Sequence, residues 1–239
     1  MNPRALVTGA SGAIGSDITK LLIDNGWDVL GTYHQNPGEV PKEAKSIQCS
    51  LDQPDNSIPK LLGKVTSHTD FLNALIHTAG PVRDEIILNM HPTEWDHVRK
   101  VHLDSAYYLA RNFRSLLLKD SNRDIPSHYV LFSSLVGLEG SAGQSNYAAA
   151  KSALIGFTTS LSKEWAPDIL VNALRPAFTQ SRMTEDMSPS AHEEVKREII
   201  TGTIADPRQT SELIGYLLNQ HNLTGQILST DHRSHPAWR

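Results

Sequence analysis

The chain has 239 residues, 39% of them hydrophobic and 20% charged, and carries a net charge of −4 with its 22 lysines and arginines scattered rather than clustered. That length suits one α/β domain of about 200–250 residues with a sizeable core, and the charge pattern speaks against nucleic acid or an anionic membrane as a partner. The lone Cys49 leaves no internal disulfide, Met1-Asn-Pro-Arg4 leads into a strand without a signal-peptide core, and no apolar run approaches the ~18 residues of a membrane span, so the expected setting is cytoplasmic.

Ala5–Val7 is a short apolar run ending in Thr8-Gly9-Ala10-Ser11-Gly12-Ala13-Ile14-Gly15, after which Ile14, Ile18, Leu21 and Leu22 recur at helical spacing. The pattern predicts strand, glycine turn, helix. Further strands are predicted over 26–33, 46–48, 73–77, 128–132, 170–174 and 226–228, each separated by enough chain for a crossover. Such alternation predicts a single doubly wound Rossmann-type α/β domain over residues 1–239, with a parallel sheet of about seven strands. Gln35 to Pro41 is a loop after the second strand, and the polar segment 178–207 is a candidate substrate lid, since connections this long are usually functional or disordered.

A turn that brings backbone close to a pyrophosphate needs residues without a bulky Cβ, followed by a helix whose first N–H groups are unpaired. Gly9, Gly12 and Gly15 stand in that arrangement at the first strand-to-helix junction, so dinucleotide binding is expected there. The choice between cofactors is read at the end of the second strand, where an acidic side chain accepts from a ribose 2′-hydroxyl and repels a 2′-phosphate. Thr32, Tyr33 and His34 occupy that place without an acid, which leans toward NADPH held by these residues and Ser11 through hydrogen bonds, with NADH still possible. The eleven histidines and Cys49 show no zinc-ligand spacing, so no metal is expected.

Tyr147 and Lys151, four residues apart, lie on one face of a predicted helix, and Ser134 precedes the tyrosine by thirteen residues. A tyrosine of ordinary pKa, about 10, is a poor acid–base catalyst at neutral pH. A nearby lysine cation favours the phenolate, and a second hydroxyl can hold the substrate oxygen.

Together the glycine turn, Ser134, Tyr147 and Lys151 resemble the short-chain dehydrogenase/reductase family, most of all its 3-oxoacyl-thioester reductases. The likeness is carried by Leu6–Ser11, Thr78-Ala79-Gly80, Thr93–Val98, Ser133–Gly137, Gln144–Phe157 and Val171–Pro176. The resemblance implies that hydride moves from NADPH to a carbonyl carbon, Tyr147 protonates the oxygen, Ser134 hydrogen-bonds it, and Lys151 lowers the phenol pKa and binds the nicotinamide ribose. It also places Gly9, Ser11, Gly12, Ile14, Gly15, Tyr33, His34, Ser50, Leu51, Ala79, Gly80, Pro176 and Thr179 against the cofactor. An acyl carrier protein or coenzyme A as acyl carrier, and assembly as a homotetramer or homodimer through helices near 93–117 and 146–165 using Tyr107, Leu109, Phe113, Phe157 and Leu161, follow from the same likeness; those five apolar residues equally suit packing against the sheet.

The sequence departs from the family at several places. Gly12 stands one position early, Thr78 replaces an asparagine, Ser50 an aspartate, and Ala177 a glycine. His102 stands where the family usually has an asparagine of the proton relay; the imidazole can serve that relay or simply pack in its helix. Two alternatives to the reductase stay open: an NAD-linked secondary alcohol dehydrogenase of a secondary-metabolite pathway, and a non-catalytic dinucleotide-binding scaffold.

Overall fold

The computed structural model describes residues 2–118, 126–179 and 189–230. In the central runs most positions are buried, so those strands cover both faces, which is the signature of a parallel sheet covered on two sides. Seven strands form: β1 (Arg4–Thr8), β2 (Asp28–Tyr33), β3 (Lys45–Gln48), β4 (Ala74–His77), β5 (Ser127–Phe132), β6 (Ile169–Arg175) and β7 (Ile227–Ser229). All six pairings are parallel, in the order β3-β2-β1-β4-β5-β6-β7. The predicted doubly wound sheet is therefore present, with a residue or two of difference at the strand ends.

The first helix, α1 (Ala13–Asp24), and α2 (Pro54–Thr66) cross between the early strands. The middle of the chain supplies α3 (Pro92–Arg99), a π-helical turn (Lys100–Asp104) and α4 (Ser105–Leu118), then the short α5 (Val136–Glu139) and the long α6 (Ser145–Trp165). Last come α7 (Pro189–Glu198) and α8 (Pro207–Leu217). One apolar core lies between the sheet and α2, α4 and α6, built on Leu6, Leu75, Phe113, Tyr129, Leu131, Leu154 and Trp165. The other lies on the opposite face under α1 and α8, built on Val7, Ile18, Leu22, Ile76, Phe132, Ile214 and Leu217. Ser211 of α8 donates a hydrogen bond to Asp17 of α1, so the two ends of the chain are tied together on that face.

Of the apolar residues expected to furnish a subunit surface, Leu109, Phe113 and Leu161 are buried in the core, and Phe157 packs against it. Tyr107 stays outside, at 45% exposure. Leu109 and Phe113 turn toward the sheet because burial takes their wholly apolar side chains out of water, while the Tyr107 hydroxyl stays at the surface and accepts from Arg111 at 3.0 Å. Among the described residues no helix is long and apolar enough to cross a membrane, and no cluster of histidine, cysteine or acid side chains has metal-site geometry.

Candidate active site

The strand order reverses direction between β1 and β4, and in an open parallel sheet the crevice at the carboxyl ends beside such a reversal is where ligands bind. The glycine turn sits at this reversal. Gly9 takes a φ of +73°, and a Cβ there would stand 2.8 Å from the Ala79 backbone. On Gly15 a Cβ would lie 2.2 Å from the Gly9 carbonyl oxygen, whereas on Gly12 it would approach only that oxygen, at 3.4 Å. The outer glycines thus let β1, the turn and the 78–80 segment close on one another, and Gly12 keeps the ligand side bare. No side chain caps the start of α1, leaving its amide groups and positive dipole end for an anion. The residues present fit a dinucleotide pyrophosphate.

Thr78, in place of asparagine, donates its hydroxyl to the Thr8 carbonyl at 2.7 Å and so ties β4 to the start of the turn. At the β2 end, His34 is 55% exposed on its side chain, with Nε2 3.5 Å from a carboxylate oxygen of Asp52. Ser50 donates to the same carboxylate at 2.7 Å, and His97 Nδ1 approaches it at 3.3 Å. The expectation of an acid-free ribose end is corrected here: Asp52, from the loop after β3, is carried beside His34. A concavity of about 240 Å³ lined by Ser50, Asp52, Gln53, Asn56, Ser57 and Lys60 opens next to it. Leu51 is buried beside Ser50, and Tyr33 is half-buried.

The catalytic candidates converge at the carboxyl ends of β4 and β5. Ser133 is buried and gives its hydroxyl to the Lys151 carbonyl at 2.8 Å, which fastens the end of β5 to α6. Ser134 is more open; its oxygen accepts from the Val136 N–H at 3.2 Å, an arrangement that leaves the hydroxyl hydrogen to donate. The thirteen-residue spacing therefore chose the serine whose proton is not spent on the backbone. Asn146 accepts from the Tyr147 N–H at 2.7 Å and donates to the Arg83 carbonyl at 3.0 Å, and Glu85 N–H bonds the Gly143 carbonyl at 2.8 Å. These bonds lash the loop after β4 to the start of α6.

Lys151 is 4% exposed, its Nζ donates to the Phe132 carbonyl at 2.6 Å, and it lies 5.4 Å from the Tyr147 ring centroid. Burial pushes its pKa down to about 7, because an ammonium removed from water without a counter-ion is disfavoured. Two histidines share this interior. His102 is 2% exposed, and burial first, then the Lys151 charge, hold it well below its ordinary pKa. His77, at the end of β4, is held down to about 3 by burial and then by Lys151. Ser105 gives its proton to the Val101 carbonyl and sits 2.8 Å from His77 Nε2; Thr8 Oγ1 is 2.7 Å from His77 Nδ1. The serine's proton being spent, Nε2 carries the hydrogen and Nδ1 accepts from Thr8. His77, Ser105 and Thr8 went unrecognised in the sequence, where the histidine reads only as the last residue of an apolar run.

On the β6 side, Pro176 is half-buried and Ala177 buried, with the Ala177 N–H bonded to Thr230 at 3.0 Å. Thr179 is buried and bridges Ala205, and the Ala205 N–H bonds the Phe178 carbonyl at 3.2 Å. The two ends of the candidate lid over 178–207 are thus joined at its base; residues 180–188 within it, and the tail 231–239, lie outside the described residues.

A parallel sheet with a glycine turn at its reversal and a Ser, Tyr, Lys group beside it defines a dinucleotide-dependent oxidoreductase. The family model for short chain dehydrogenases matches residues 3–192, and the chain belongs to that family. It is an NAD(P)-dependent oxidoreductase acting on a CH–OH group, of the kind most like 3-oxoacyl-thioester reductases. It is 31% identical over 234 residues to the 3-oxoacyl-[acyl-carrier-protein] reductase of Vibrio cholerae, covering 94% of this chain and 93% of that protein. Against the enzyme of the same name from Aquifex aeolicus the identity is 31% over 237 residues, covering 94% of each. Among solved structures, the Pseudomonas aeruginosa RhlG/NADP active-site complex superposes with a TM-score of 0.89 at 22% identity, covering 96% of this chain and 95% of that one. The TT0495 protein of Thermus thermophilus superposes at 0.86 with 27% identity, covering 97% and 98%.

Proposed function

We propose that this protein reduces the keto group of a 3-oxoacyl thioester, carried by an acyl carrier protein or coenzyme A, to a secondary alcohol with NADPH. The observation that carries the reading is the convergence of Ser134, Tyr147 and buried Lys151 at the carboxyl end of β5, beside a glycine turn fitted to a dinucleotide. When bound, the nicotinamide supplies the hydride. Tyr147 donates its phenolic proton to the oxygen that gains charge, and the hydroxyl hydrogen of Ser134 bonds the same oxygen. Lys151 as a cation favours the phenolate left behind. Gly9, Ser11, Gly12, Ile14 and Gly15 line the pyrophosphate; Tyr33, His34, Ser50 and Leu51 the adenosine; Ala79, Gly80, Pro176 and Thr179 the nicotinamide end. The segment 178–207 closes over the substrate, residues 1–239 act as one domain, and a homotetramer or homodimer is the working assembly.

Asp52 beside His34 supports a second reading, an NAD-linked dehydrogenase of a secondary alcohol, since a carboxylate there disfavours a 2′-phosphate. Fluorescence titration with NADPH and NADH, followed by a short 3-oxoacyl thioester in the same cuvette, separates the two. NADPH binding with substrate-dependent oxidation upholds the reductase. Tighter NADH binding without reduction of the thioester replaces it with the dehydrogenase.

A further inference from the structure

The π-helical turn brings His102 into a position that neither Ser134 nor Lys151 explains. An α-helix passes one residue per 100°, so the extra residue of a π turn displaces side chains from the regular face, and such turns are frequent at functional sites. Here the displaced side chain is an imidazole, 2% exposed, with its ring edge on the catalytic tyrosine: the His102 and Tyr147 centroids are 5.2 Å apart at an interplanar angle of 84°. Its other side rests on the backbone of Gly80, where a Cβ would stand 1.8 Å from His102 Cε1. Nε2 lies 2.9 Å from the Pro81 carbonyl oxygen. A carbonyl only accepts, so Nε2 carries the hydrogen and the ring is fixed in one tautomer. The imidazole is therefore wedged between the loop after β4 and the phenol, bonded to the first and edge-on to the second.

We propose that His102 is a positioning residue that holds the Tyr147 ring in register with Lys151 and Ser134, acting through ring contact rather than by passing a proton. This deepens the reductase reading and rests on it for the kinetic arm of its test. Edge-to-face contact gives the phenol a preferred orientation, and the Pro81 bond keeps the wedge from rotating. Gly80 is the residue that makes room for it. A proton passed through the ring would require Nε2 to leave the Pro81 carbonyl or the ring to become an imidazolium, and the buried position beside Lys151 opposes the second.

The test uses the full chain with His102 replaced by Ala, Gln and Phe, each alone and with Tyr147→Phe. His102→Phe keeps a ring edge and loses the Pro81 bond; His102→Gln keeps a donor and loses the ring. Positioning predicts that His102→Ala and His102→Gln lower kcat on the order of 10–100-fold, as small misplacements of a reacting group do, while the Kd for NADPH changes less than about 3-fold. His102→Phe restores most of kcat at a lower Tm. In the Tyr147→Phe background the same substitutions have no further effect on kcat. Equal losses with and without the tyrosine hydroxyl, or rescue by Gln and not by Phe, overturn the proposal. The near-ultraviolet circular dichroism of the Tyr147 ring, taken as the difference from Tyr147→Phe, weakens in His102→Gln and is kept in His102→Phe, because only a ring edge at position 102 holds the phenol in one orientation. An unchanged spectrum in His102→Gln also overturns it. If the wild-type chain reduces no carbonyl, the reductase reading fails separately and the spectrum alone decides the role of His102.

Discussion

Replacing Lys151 with methionine tests the electrostatics of the site without relying on a substrate. The side chain is buried, bonded only to the Phe132 carbonyl among the interactions described, and its pKa falls from 10.5 to about 7. A folded-state pKa below the unfolded one means that the unfolded chain holds the proton more tightly between pH 7 and 10.5, so stability rises with pH across that window. The full effect is on the order of 5 kcal/mol, of which roughly 3 to 4 kcal/mol falls between pH 7 and pH 10. Below pH 7 both states are protonated and the penalty is constant. Lys151→Met removes this dependence while losing a charged hydrogen bond of about 1.5–3 kcal/mol. Urea unfolding of both proteins from pH 7 to 10 should show the wild type gaining on the variant by about 3 kcal/mol. At pH 7 the variant is the more stable by roughly 2 kcal/mol and yet inactive, with weakened cofactor binding, the usual exchange of stability for function at a catalytic group. Parallel stability curves across the pH range would refute the reasoning.

Tyr147→Phe should lower turnover on the order of 10² or more with cofactor affinity nearly unchanged, measured by NADPH oxidation and fluorescence titration; near wild-type turnover sinks the mechanism. Gly80→Ala places a methyl on His102 and should cost about 1–3 kcal/mol as overpacking, with His102→Ala restoring the lost Tm in the double variant. His128 is 1% exposed, both ring nitrogens lack a hydrogen-bond partner among the described residues, and burial holds its pKa at about 4. The unfolded chain therefore takes the proton first, and stability falls as pH drops from 6.5 to 4, by about 3 kcal/mol from this group. His128→Leu should flatten that part of the acid unfolding curve, and an unchanged slope rejects the assignment. Asp52→Asn should tighten NADPH several-fold relative to NADH; equal changes for both cofactors would show that the carboxylate does not read the 2′ position.

The central strands β1, β4, β5 and β6 were legible because they are largely buried runs covered on both faces, so the signal survives without any knowledge of pairing. Ser134, Tyr147 and Lys151 were legible because helix periodicity and a fixed spacing are properties of the chain itself. The π turn was not: an inserted residue leaves no trace in apolar periodicity when Val101 and Leu103 remain apolar on either side. Asp52 was missed for another reason. It lies 18 positions after His34, and only the parallel pairing of β2 with β3 brings the loops that follow them together. Tyr107, Leu109 and Phe113 looked alike in the sequence, and only the packing of α4 on the sheet separates the exposed first from the buried others.

The bond from Ser211 to Asp17 spans 194 positions, and the apolar side of α1 packs on α8. A nascent chain therefore carries α1 with the side that meets α8 uncovered until residues 207–217 have been made. At ~5–20 residues per second that interval is roughly 10–40 s. During translation the cofactor turn is therefore made well before the helix that completes the support of α1.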